Sequence, residues 1–216
     1  MRSIPTLVLF VTDALLCATL LVGVNSSHGE TGRADEAKPK PLPASRVSQA
    51  EAEALVALHN EARREVGVPP VAWSSEVASF AQQWADHIAT TGKFEHRPYA
   101  MEKSETAEFD PIDELPKQIY GENLAIGSGQ FGVVDSARGW YAEKKDYVPG
   151  TPIPADFSQF KAGHYTQLVW SKTKRIGAGK AIVQTGEFKG WTVIVCNYDP
   201  SGNFEGEAPF EISISK

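Results

Sequence analysis

Apolar side chains recur along this chain with a helical period in three stretches and with a strand-like pattern in two later ones. In the first stretch Leu55, Leu58, Ala62 and Val66 share one helical face. Ser48 and Glu51 stand in front of it at the spacing of a capping box, where a hydroxyl takes an orphan amide and the glutamate reaches back. Gly67 and Pro69 end the run. The second stretch opens near Ser74 or Ser75, carries Val77, Phe80, Ala81, Trp84, Ala85 and Ile88, and stops at Gly92. A third helix is predicted from about Val133 to Lys145, with Val133, Val134, Ala137, Trp140 and Tyr141 on one side. The period then changes. Residues 176–183 and 191–198 read as two strands joined through 185–190, and Val193-Ile194-Val195-Cys196 is the unbroken apolar run expected of a strand covered on both faces. Helices first and a hairpin last predict an α+β layered domain.

The remaining stretches are polar or irregular. Residues 93–120 form a long acidic connection, and 147–160 are punctuated by Pro149, Pro152 and Pro154. At the N-terminus Arg2 precedes an uncharged stretch from Ala14 to Val24, with a small-residue cleavage site at Val24-Asn25-Ser26. Residues 1–26 are therefore expected to be a signal peptide. An uncleaved anchor over residues 4–24 is the alternative, which Asp13 disfavours because a carboxylate in mid-span is costly. Residues 27–47, rich in Pro, Lys, Glu and Ala, are expected to be a disordered linker, and 48–214 the folded domain. Either reading of the N-terminus places that domain outside the cytoplasm, with the membrane involved only if residues 1–26 stay attached.

Composition narrows the picture. With 216 residues, 42% hydrophobic and 22% charged, the chain suits one domain with appendages. A net charge of −6 removes nucleic-acid binding, which needs a basic patch. Without residues 1–26 only Cys196 remains, so no internal disulfide can form and the core alone must hold the fold. Cys196 is expected to be a buried small hydrophobe. His59 reads as a core or boundary histidine, His87 as exposed, and the five tryptophans as core residues.

Four ordered segments carry a resemblance: His59-Asn60-Glu61-Ala62-Arg63, Gly121-Glu122-Asn123-Leu124-Ala125, Gly163-His164-Tyr165-Thr166-Gln167-Leu168-Val169-Trp170, and Val195-Cys196-Asn197-Tyr198-Asp199-Pro200-Ser201-Gly202-Asn203-Phe204. Together they resemble the CAP superfamily, which groups cysteine-rich secretory proteins, antigen 5 and pathogenesis-related protein 1. The resemblance implies an α-β-α sandwich with a small antiparallel sheet between helical layers. It also implies a cleft with two histidines and two carboxylates, carried over to His164 and Glu122 by motif and to His96 and Glu143 by position. Asn60, Asn123 and Gln167 would support them.

Imidazole nitrogens and carboxylate oxygens are ligands for zinc and similar divalent ions. The same groups could instead pin loops by His–Glu hydrogen bonds, or let a carboxylate orient a histidine for proton transfer. Two functions follow. One is a binding or interaction protein, taking a lipid-like or small hydrophobic ligand or a protein partner, with Tyr147, Phe157 and Phe160 as groove contacts. The other is a metal-dependent, peptidase-like hydrolase. A third reading treats residues 200–210 as a releasable peptide, resembling the signalling tail of plant pathogenesis-related protein 1.

Overall fold

The computed structural model describes residues 8–11, 44–99 and 115–211. The expectations for residues 1–26 and 27–47 lie outside these residues, except at 8–11 and 44–47, and most of the acidic connection does so as well.

Among the described residues five strands form one sheet: β1 (Val8–Val11), β2 (Ala72–Trp73), β3 (Gly121–Gly127), β4 (Arg175–Ile182) and β5 (Thr192–Asp199), in the order β1-β3-β5-β4-β2. The long pairings β3–β5 and β4–β5 are antiparallel, while the two-residue β2 joins β4 in parallel. The sheet is thus mixed rather than antiparallel throughout. Helix α2 (Ser75–Thr91) covers one face. Helices α1 (Gln49–Glu65), α3 (Val133–Ala142) and α4 (Gly163–Leu168) cover the other. The expected three-layer sandwich is what the chain forms.

The pleat explains the apolar run of β5. Val193 and Val195 pack with Trp84, Ala85 and Ile88 of α2, whereas Ile194, Cys196 and Tyr198 enter the core beneath α1 and α3. Helix α2 lies very close to β4, because Gly177 and Gly179 present bare backbone to it. A Cβ on Gly177 would stand 2.1 Å from the amide nitrogen of Ala78, and one on Gly179 would stand 2.4 Å from Cα of Gln82.

The helix ends follow the local sequence. Ser48 and Glu51 form the complete capping box at α1, and Gly92 closes α2 in the left-handed conformation at φ 72°. The third helix ends at Ala142 rather than Lys145, since Glu143–Asp146 tighten into a 3-10 turn. His87 is half-buried with its ring stacked on Trp84 at 4.4 Å, not exposed as its sequence context suggested. Trp84, Trp140 and Trp170 are fully buried core residues, and Trp73 and Trp191 pack partly buried at its edges.

Candidate functional site

His96 lies in the segment just after α2, between two anchored neighbours. The indole of Trp84 donates to the carbonyl of Glu95 at 2.9 Å. The guanidinium of Arg97 is buried, donates to the carbonyls of Phe80 at 2.6 Å and Pro116 at 3.1 Å, and sits 3.7 Å above the Phe80 ring. Burial lowers the Arg97 pKa to about 10, against the opposing field of Glu122. The imidazole between these anchors has little freedom to wander.

Glu122 is the second residue of β3 and its carboxylate is saturated with donors. Oε1 takes His96 Nδ1 at 2.9 Å and the Arg97 amide at 3.1 Å. Oε2 takes the side-chain amides of Gln118 at 2.9 Å and Asn197 at 3.4 Å. The side chains of Glu122 and His96 are 3% and 19% exposed, so the carboxylate is covered and the imidazole reaches the surface.

Glu143 and His164 form a second pair. His164 Nδ1 bonds Glu143 Oε1 at 2.6 Å. Oε2 of the same carboxylate accepts the amides of His164 at 2.9 Å and Tyr165 at 3.2 Å. Glu143 therefore caps the start of α4, where amides lack helical partners and negative charge is favoured. The His164 ring stacks on Trp140 with 17° between planes. Here the exposures are reversed: His164 is 2% exposed and Glu143 14%.

The structure places the four expected residues in two carboxylate–imidazole pairs, His96 with Glu122 and His164 with Glu143. Strand β3 supports both. Its pleat sends Glu122 to the α2 side, like Leu124 and Ile126, and Asn123 to the other side, like Ala125. Asn123 donates to the carbonyl of His164 at 3.1 Å and to the Tyr198 hydroxyl at 2.9 Å. That hydroxyl meets Nε2 of buried His59 at 3.0 Å, whose Nδ1 meets the Leu55 carbonyl at 2.8 Å. His59 is therefore a satisfied core histidine. Among the described residues, no three or more His, Cys, Asp or Glu side chains are grouped so as to hold a metal ion.

Of the expected supporting amides only Asn123 touches a pair. Asn60 instead clasps Val71 through both its carbonyl and amide, at 2.7 and 3.0 Å. Gln167 accepts the Gly202 amide at 3.0 Å and holds the C-terminal segment. Arg97 and Gln118 went unnoticed in the sequence, and Asn197 and Trp140 were named there without a role beside the pairs. Arg97 could have been suspected as the immediate neighbour of His96; Gln118 offered no signal.

Of the expected groove contacts, Tyr147 lines a pocket together with Pro149, Tyr165 and Phe210. Tyr147 lies against Tyr165 and Phe210, and Phe157 against Phe160 and Gly163. Residues 200–210 are integral as well. Asn203 donates to the Gly163 carbonyl at 2.8 Å and accepts from the Thr166 hydroxyl at 2.8 Å, and the Ser171 amide donates to the Pro209 carbonyl at 2.8 Å. Cys196 is buried, and burial pushes its thiol up to about 12, which denies it a nucleophile's role.

The layered fold and the paired histidines define a class. The family described as "CAP: Cysteine-rich secretory protein family" matches residues 56–198, and the chain belongs to it. It is 36% identical over 165 residues to the pathogenesis-related protein PR-1 type of Sambucus nigra, covering 76% of this chain and 84% of that protein. It is 34% identical over 152 residues to pathogenesis-related protein 1A of Nicotiana tabacum, covering 70% and 76%. Solved structures of similar fold include BmVAL-1, with TM-score 0.56, 18% identity and coverage of 81% and 88%. NaASP2 with Zn2+ also has TM-score 0.56 and 18% identity, with coverage of 80% and 91%.

Proposed function

We propose that this chain is an extracytoplasmic binding protein whose paired imidazoles take a divalent metal ion, zinc first, with modest affinity. One observation carries the reading: both imidazoles meet their carboxylate through Nδ1. A carboxylate there holds the proton on Nδ1 and puts the lone pair of the neutral ring on Nε2, the arrangement that outer carboxylates impose on metal-binding histidines. On this reading His96 and His164 are the ligands, while Glu122 and Glu143 orient them from outside. Two nitrogens leave the other positions of a tetrahedral ion to water or a ligand atom, which keeps binding weak and the ion open. NaASP2, a neighbour in fold, is solved with Zn2+. The relatives' names as pathogenesis-related proteins support a role in interaction or defence outside the cell.

Calorimetric titration of the metal-free chain with zinc should give saturable binding. His164→Ala should abolish it, and Glu143→Gln should weaken it by about 10–100-fold through the lost orientation. Equal heats for wild type and a His96→Ala, His164→Ala double variant would remove the reading. A metal-dependent, peptidase-like hydrolase would use the same ion to activate water, since no recognisable serine or cysteine nucleophile motif accompanies the pairs. It requires peptide cleavage that chelator stops and that His164→Ala lacks.

A second ligand reading has its own support. A groove of about 640 Å3 between the first turns of α1 and β2 is lined by Val47, Ala52, Val56, Val71 and Trp73, with Gln49 and Glu53 also at its wall. Its size and apolar walls suit a lipid-like or small hydrophobic ligand. Fluorescence of Trp73, read against a Trp73→Phe control, should change saturably with a medium-chain fatty acid; a flat response would dismiss that ligand.

A further inference from the structure

The two edges of the sheet are built differently. At one edge the two-residue β2 borders β4, which carries the charges Arg175 and Lys180. Short strands and charges of this kind keep an edge from pairing with foreign chain. The β3 edge has no such device over Leu124-Ala125-Ile126-Gly127, where there is neither charge nor proline. It is covered by β1 instead, antiparallel and in the register Val8 to Gly127, Leu9 to Ile126, Phe10 to Ala125 and Val11 to Leu124.

We propose that the outer edge of β3 is a strand-acceptor site, and that its occupant is this chain's own apolar segment Val8–Val11. The sequence of that segment, Val-Leu-Phe-Val, is β-branched or aromatic at three of its four positions and uncharged, which suits edge addition. The acceptor is rigid. Leu124 and Ile126 are locked into the core beside α2, Ala125 into the core on the other face, and Glu122 and Asn123 hold the start of the strand through the hydrogen bonds described above. A fixed edge has a fixed register, because a one-residue slip would swap every side chain between faces. The occupant lies within residues 1–26, the stretch whose sequence reads as a leader. Processing would therefore uncover main-chain groups of β3 and turn a closed edge into one that accepts an extended apolar strand.

The test is amide hydrogen exchange on the full chain. A variant with residues Val8 to Val11 replaced by Gly and Ser leaves the sandwich layers untouched. It should speed exchange of the outward amides between Leu124 and Gly127 by at least about tenfold, with β4 and β5 amides unchanged. Adding a synthetic peptide of residues 6–13 should restore slow exchange saturably. Exchange identical in wild type and variant would overturn the proposal, as would fast exchange that the peptide fails to slow. Protection that instead rises with protein concentration and ignores the peptide would assign the edge to a second copy, and also overturns it. None of these outcomes depends on metal.

Discussion

Replacing Arg63 with methionine is expected to cost about 4–5 kcal/mol, a large share of the 5–15 kcal/mol that holds a domain together. Arg63 is fully buried, and among the described residues no carboxylate pairs with it. Its guanidinium donates only to carbonyls: Pro69 at 2.7 Å through Nε, Leu168 at 3.2 Å and Trp170 at 2.8 Å, and Thr173 at 3.0 Å. Burial lowers its pKa to about 10, which still leaves it charged at neutral pH. The carbonyls of Leu168, Trp170 and Thr173 lie at and just after the end of α4, where helical acceptors lack partners and positive charge is favoured. Methionine fills much of the volume but strands several buried acceptors, each worth about 1–3 kcal/mol. Arg63→Lys should recover only part of the loss, since an ammonium offers three donors in a tighter radius than the planar fork. Urea melts of the three proteins measure both steps; a shift below about 1 kcal/mol for the methionine variant would contradict the account.

Acid should weaken the fold through His59. Desolvation lowers its pKa from 6.5 to about 4, because a charged ring in the core would lose water and face Arg63. The unfolded chain takes up the proton first. Stability from this group is therefore complete above pH 6.5 and drains away as pH falls toward 4, by about 3 kcal/mol in all. Protonation would also convert Nε2 from acceptor to donor, against a Tyr198 hydroxyl that already accepts from Asn123. In His59→Phe the steep part of the stability profile between these pH values should flatten, although the variant starts lower at neutral pH. An unchanged slope would move the acid sensitivity to other groups.

How far the sequence announces this fold depends on the length of each element. Helices α1 and α2 each run for 17 residues, enough for a helical stripe and both caps to register. Strand β5 is legible because its two faces meet two cores. Helix α4 is not: its six residues are all buried, so no polar face marks a period, and it begins on a carboxylate supplied from elsewhere in the chain. Strand β3 hides behind its glycines and behind Glu122, a charge that the pairing tolerates only because four donors meet it. The identities of the four site residues came through resemblance, but their pairing did not. Which histidine meets which glutamate is decided by the pleat of β3 and by the position of α4, and both are tertiary facts. Arg63, Asn123, Gln167 and Tyr198 bond chiefly to one another's segments, so they make one scaffold rather than four separate features.

The grip of Glu143 on α4 turns a backbone hydrogen into a gauge. One carboxylate holds the His164 ring by one oxygen and the Tyr165 amide by the other. Anything that tugs the ring will rotate the carboxylate and alter the shielding of that amide, so a single amide cross-peak reports occupancy of the imidazole without a chromophore or a turnover assay.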